Sequence, residues 1–168
     1  MPPFDPLPLR LRTPRLELVT QVPEDAGWLA ELFSLHGRGV VTAEQAAERI
    51  SAMARTVAEL GIGARVLRRH GDPQALGYVA IVLGRSSLEE PELAYELLPA
   101  ARGHGYATEG SRALLEATFA TGRQRVRATV RPHNTASLRV LDRLGFVRER
   151  VTRDADGEVV WSVLERPG

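Results

Sequence analysis

The spacing of apolar and polar positions changes period several times along this chain, and each change predicts an element. Leu16 to Thr20 alternates and reads as a strand. Pro23-Glu24-Asp25 opens a helix that runs to about His36-Gly37, with proline early and two acids near the positive end of the dipole. Thr42-Ala-Glu-Gln45 has capping-box form. After it Ala43, Ala46, Ala47, Ile50, Met53, Ala54 and Val57 keep helical spacing up to a stop at Gly61. Ile62 to Arg69 and Leu76 to Leu83 read as strands around a turn at His70-Gly71-Asp72-Pro73. The second is apolar almost throughout, as expected of a strand covered on both faces. Arg65, Arg68 and Arg69 read as a solvated strand edge.

Glu92 to Leu98 then predicts a strand that runs into a turn with glycines at 103 and 105 and on into a helix. On that helix Ala107, Ser111, Leu114, Thr118 and Thr121 share one face, and Glu109, Arg112 and Glu116 the opposite one. Arg125 to Arg131 alternates. Asn134 caps a further helix that ends at Leu144-Gly145, and strands Val147–Arg153 and Val159–Glu165 close the chain around a turn at Asp154–Gly157. Residues 1–14, rich in proline, form an extended lead-in. The order β-α-α-β-β-β-α-β-α-β-β predicts an α/β fold, a mixed sheet covered by helices on both faces.

Composition narrows the functional classes. The 168 residues suit one domain spanning 1–168, and 43% hydrophobic with 26% charged residues is ordinary for a globular protein. With 22 basic against 21 acidic residues, no global field favours nucleic acid or a membrane. Only 5% of residues are aromatic, too few for a base-stacking platform. The absence of cysteine removes disulfides, thiolate metal sites and a thiol nucleophile together, and no metal is expected. The first residues, Met-Pro-Pro-Phe-Asp-Pro-Leu-Pro-Leu-Arg, hold no apolar signal core, so the expected location is cytoplasmic.

The strand–turn–helix at Glu92–Glu109 carries the candidate chemistry. It leaves N–H groups free at a helix N-terminus, a natural seat for a pyrophosphate. A dinucleotide fingerprint fails at its third glycine, where Thr108 stands. A P-loop fails because Gly105-Tyr-Ala-Thr-Glu-Gly110-Ser111-Arg112 lacks the lysine and the hydroxyl residue after it. Arg102-x-x-Gly105-x-Ala107 instead resembles the R/Q-x-x-G-x-G/A signature of the GNAT superfamily of acyl-CoA N-acyltransferases. Asn134-x-x-Ser137 and Leu141-x-x-Leu144-Gly145-Phe146 follow at the spacing of that superfamily. Glu92-Leu-Ala-Tyr95, Pro99 and Gly103-His-Gly-Tyr-Ala-Thr-Glu109 are similar to the branch containing the ribosomal-protein N-terminal acetyltransferases.

The resemblance implies a mostly antiparallel, splayed sheet in which the strand ending at Leu97-Leu98 parts from Arg125–Arg131. Acetyl-CoA is the implied acyl donor. Its pantetheine arm would meet the main chain of Glu96, Leu97 and Leu98, with an N–H near Leu97 polarising the thioester carbonyl. The N–H groups of Gly103, His104, Gly105, Tyr106 and Ala107 would hold the pyrophosphate, with Arg102 and Asn134 completing the cofactor site. His104 would line phosphate, and Glu109 is structural. Many relatives carry a tyrosine acid where this chain has Leu141, and another branch a glutamate base where it has Thr129. Ser137 resembles a serine proposed to serve the departing thiolate, and Glu92 stands as the water-mediated base or amine contact. His133 is a lesser candidate.

With no thiol available, the implied reaction is direct attack by an amine. An α-amine titrates near 7.7–8.0 and a lysine near 10.4, so deprotonating lysine costs about 3.5 kcal/mol more. A chain without an obvious strong base therefore suits an α-amine or another weakly basic amine, and the resemblance implies the N-terminal α-amine of a protein or peptide. The alternatives are a small-molecule amine (amino acid, polyamine or aminoglycoside) and a catalytically silent acyl-CoA binding module. The acceptor pocket is expected between the first two helices, the loop Leu35–Gly39 and the turn at Asp154–Gly157. The molecule is expected to be a monomer or homodimer.

Overall fold

The computed structural model describes residues 3–168. An eight-stranded sheet runs in the order β1-β2-β3-β4-β5-β6-β8-β7. Its strands are β1 (Arg10–Arg12), β2 (Leu16–Thr20), β3 (Ala64–Arg69), β4 (Ala75–Val82), β5 (Glu92–Leu97), β6 (Arg125–Val130), β7 (Val147–Asp154) and β8 (Gly157–Glu165). Every neighbouring pair is antiparallel except β5 and β6. The hairpins β3–β4 and β7–β8 follow short connections, β2 reaches β3 only through the two helices between Thr20 and Ala64, and the parallel pair needs the crossover helix between Leu97 and Arg125.

That crossover is α3 (Tyr106–Ala120). It covers one face of the sheet together with α4 (Thr135–Leu144), burying Leu67, Val79, Ile81, Leu93, Leu114 and Val126 in the main core. The other face carries α1 (Ala26–Ser34) and α2 (Ala43–Leu60), whose Leu29, Ala30, Ala46 and Ile50 form a smaller core with Tyr78 against them. Alternation along β4 sorts Val79 and Ile81 to α3 and Tyr78 to α1, as the period of two requires. Helices thus cover both faces, as the pattern predicts.

Three expectations change. The lead-in supplies a strand that the pattern did not single out: Arg10–Arg12 pairs with Glu17–Val19 at the sheet edge. Met1 and Pro2 of the lead-in lie outside the described residues. The first helix begins with a 3-10 turn at Pro23–Asp25 and ends at Ser34, leaving His36 in the following loop. The arginines of β3 are not a solvated edge, because β3 lies inside the sheet between β2 and β4. Arg65 is fully buried and donates to the carbonyls of Leu7, Pro8 and Ala64. That burial pulls its pKa down. Arg68 reaches across to Asp25 at 2.6 Å.

Candidate active site

The sheet opens between β5 and β6. Glu92 opposite Arg127 is the one paired position, with the Arg127 N–H bonded to Pro91 O at 2.8 Å. Beyond that point the strands part. Leu98 donates its N–H to Leu76 O on the β4 side, so by the alternation of an antiparallel ladder the amides of Glu96 and Ala94 also face β4. The Leu93 N–H falls within the paired position, and the N–H groups of Tyr95 and Leu97 face the opening. This corrects the expected trio of arm-binding residues. Leu97 offers its main chain to the opening, the Glu96 amide belongs to the ladder, and both main-chain groups of Leu98 are taken, by Leu76 O and Ala101 N–H.

The turn after β5 supplies the second feature. Pro99–Ala101 forms a 3-10 turn, and Gly103 and Gly105 follow at φ +81° and +77°. Gly105 is the N-cap of α3, in the left-handed region that a side chain with Cβ resists. Among the described residues the six successive N–H groups from Gly103 to Thr108 find no protein acceptor. Six unpaired donors converging on a helix N-terminus are the complement of a pyrophosphate, so the residues present fit the cofactor. Arg102 donates through Nε to Leu97 O at 3.2 Å, tying the turn to the strand end.

A brace missed by sequence reasoning holds this turn from the connection between β1 and β2. Arg15 donates to His104 O at 2.8 Å and to Glu109 at 2.6 Å, and its guanidinium lies 4.7 Å from the centre of the Tyr106 ring. Thr13 also donates to Glu109, at 2.6 Å. Partial burial alone would raise the Glu109 carboxyl, but these donors outweigh it and hold its pKa below the usual range. The absence of any sequence pattern linking positions 15 and 109 explains the omission: the contact exists only because β2 passes the start of α3.

Across the opening, the Tyr95 hydroxyl donates to Ser137 O at 2.8 Å. Burial pushes the Tyr95 pKa well up, which keeps that hydroxyl a donor. Asn134 caps α4 by accepting the Ser137 N–H at 3.2 Å. Its side chain therefore holds the first turn of α4 rather than reaching into the opening. The Ser137 hydroxyl itself makes no hydrogen bond among the described residues and stays available. Leu141 is buried in the main core. His133 is exposed on the loop before α4.

The face under α1 and α2 holds two carboxylates from β5. Glu92 is 6% exposed and both its oxygens are engaged, one by the Arg85 N–H at 2.6 Å and the other by the Thr129 hydroxyl at 2.8 Å. The carboxylate that position 129 lacks is thus delivered there from the next strand. Engaged on both oxygens and buried, Glu92 ties together the ends of β4, β5 and β6. Arg85 continues the network to Asp154, which Arg131 also grips at 2.9 Å. The Arg131 hydrogen bond foremost holds the Asp154 pKa well below the carboxylate range.

Glu96 lies at the other end of β5. Tyr78 donates to one of its oxygens at 3.0 Å, and His36 Nε2 meets the other at 2.6 Å. Burial first, then the charge of Glu96, raises the Tyr78 pKa far above its ordinary value. Arg38 of the same loop as His36 approaches Asp156 of the β7–β8 turn at 3.4 Å. The loop and the turn expected to form the acceptor site are therefore brought face to face.

The comparisons agree with this geometry. No curated protein matches the sequence. Among solved structures, an acetyltransferase from Agrobacterium tumefaciens is 23% identical, with TM-score 0.76 and 94% of each chain covered. A ribosomal-protein-alanine acetyltransferase from Vibrio fischeri is 17% identical, with TM-score 0.78, covering 94% of this chain and 97% of its own. Mycobacterium smegmatis RimJ, solved with a CoA disulfide, is 21% identical, with TM-score 0.75 over 89% of this chain and 81% of its own. At such identities these likenesses establish the fold. The family model described as an acetyltransferase (GNAT) domain matches residues 15–147, a span that takes in the brace at Arg15, the splayed strands and the donor-lined turn. The chain belongs to the GNAT acetyltransferases, whose acyl donor is acetyl-CoA.

Proposed function

We propose that this acetyltransferase modifies the N-terminal α-amine of a protein or peptide. The observation that carries the reading is the form of the acceptor side. Among the described residues its two walls, the loop after α1 and the β7–β8 turn, share one ion pair, Arg38 with Asp156, whose side chains are 79% and 65% exposed. An exposed contact of this kind contributes little to stability and opens readily. The resulting groove suits the end of a chain, and the acidic Glu96 suits an amine. The Vibrio fischeri ribosomal-protein-S5-alanine acetyltransferase, which shares this fold, points the same way.

Acetyl-CoA supplies an activated acetyl thioester, and this chain supplies position and proton management. The Gly103–Thr108 donors anchor the pyrophosphate, and the Leu97 and Tyr95 N–H groups offer donors to a developing oxyanion. The free Ser137 hydroxyl serves the departing thiolate. A small-molecule amine is the second reading. It is favoured by a cavity of about 450 Å³ between α2 and the sheet, lined by Phe33, Arg49, Met53, Tyr78 and Ala94. The silent binding module has the family assignment against it.

Thiol release from acetyl-CoA, measured against peptides with free N-termini, free amino acids, polyamines and aminoglycosides, tests the reading. The peptides should give the highest kcat/KM. A small amine that outperforms every peptide would transfer the assignment to the second reading.

A further inference from the structure

The deprotonation of the acceptor amine has no assigned residue once both Glu92 oxygens are engaged and the glutamate position at 129 holds threonine. The acceptor face contains one other built set of proton-handling groups. Tyr78, Glu96 and His36 form a chain of hydrogen bonds that ends at the mouth of the groove. Tyr78 fixes one oxygen of Glu96 from β4, so the carboxylate has a single orientation. A 2.6 Å contact between an imidazole nitrogen and a carboxylate oxygen requires a proton between them, which places it on Nε2. The lone pair of the neutral ring then lies on Nδ1. Among the described residues Nδ1 of His36 makes no hydrogen bond, and the side chain is 42% exposed. Phe33 packs against the ring with centroids 5.9 Å apart, limiting its swing.

We infer that His36 is the base that takes the proton of the acceptor amine, and that Glu96 is the positioning residue that sets its tautomer. The inference rests on the amine-acceptor reading. The ammonium gives one proton to His36 Nδ1 and becomes a free amine. The nitrogen lone pair forms the C–N bond with the acetyl carbonyl carbon, the C–S bond breaks, and the electron pair leaves with sulfur. The nitrogen sheds a second proton, which ends on the thiolate through Ser137. His36 returns its own proton to water, so products are the amide, the free thiol and one proton. The Glu96 carboxylate, held by Tyr78, stabilises the imidazolium that forms.

The test uses acetyl-CoA with lysine-free peptides bearing an N-terminal alanine or serine. His36→Ala should lower kcat roughly 100-fold, within the range for general base catalysis, with an unchanged KM for acetyl-CoA. Added imidazole should restore part of the rate, since the position is open to solvent. Glu96→Gln should lower kcat about 10-fold in the native background and cause no further loss in the His36→Ala background, because a positioning residue acts only through its partner. His36→Ala with kcat within about two-fold of the native value overturns the assignment. So does equal damage from Glu96→Gln in both backgrounds, or loss of turnover by Glu92→Gln while His36→Ala stays active. Native protein that acetylates no amine overturns the acceptor reading and this assignment with it. Active native protein beside a His36→Ala variant within about two-fold of its kcat overturns the assignment alone.

Discussion

Two positions in the opening carry opposite demands. Gly105 is needed for its backbone: at φ +77° a side chain is strained, although a Cβ would meet only Arg15, at 3.5 Å. Gly105→Val should therefore distort the turn, and about 1–3 kcal/mol of strain corresponds to roughly 10–100-fold weaker acetyl-CoA binding. Calorimetric titration checks it. Ser137 is needed for its hydroxyl alone, since its N–H and C=O are already taken by Asn134 and Tyr95. Ser137→Ala should lower kcat by about 100-fold and leave acetyl-CoA affinity nearly intact, the signature of a group acting on a proton rather than on binding. Steady-state kinetics with direct affinity measurement would separate the two, and unchanged kcat would remove Ser137 from the mechanism. Arg65 shows the limit of reading residues singly. Its charge suggested solvent, and it proved to be the buried clamp on the Leu7–Pro8 carbonyls.

At the scale of elements, the turn before α3 is ordered from outside itself. The brace from the β1–β2 connection through Arg15 to Glu109 and His104 O fixes the carbonyl side of the turn and leaves its N–H groups outward. Because the Glu109 pKa is depressed in the folded state, its stabilisation is present above the ordinary carboxylate value near 4.3 and is lost as pH falls through the lower folded value. Glu109→Gln should cost about 1 kcal/mol at pH 7, a modest figure because Arg15 is half exposed. The gap between native and variant should close as the pH is taken down from about 5, where glutamate ordinarily begins to protonate. Urea unfolding at several pH values would show this, and a gap that stays constant into acid would contradict the brace. A parallel loss of acetyl-CoA affinity in Glu109→Gln would tie the brace to the turn.

For the whole molecule, the sheet is two antiparallel halves joined at a single parallel step, Glu92 opposite Arg127. A ligand lying in the opening contacts both halves and should stabilise the folded state by mass action. At acetyl-CoA near 100 times its dissociation constant the gain is about 2.7 kcal/mol. For a chain of this length that corresponds to a rise of roughly 5–10 °C in Tm. Amide exchange should slow at Tyr95 and Leu97, whose N–H groups face the opening. A cofactor that leaves Tm and these amides unchanged would exclude the splay as its seat.

The sequence by itself determined every element but the short β1, together with the glycine turn and the family, because period, caps and turn residues are local properties written in adjacent positions. Thr42 with Gln45, Gly61, Asn134 and Gly145 act as caps where their spacing placed them. The donors of the Gly103–Ala107 turn were legible for the same reason. Side-chain partnerships between elements were not. Whether Glu92 meets an amine or Thr129, whether Arg65 meets water or carbonyls, and that His36 meets Glu96 sixty positions away depend on strand order and on which loops face one another. Only the tertiary structure decided those, because a side chain's reach is a few ångströms in space and has no fixed distance along the chain.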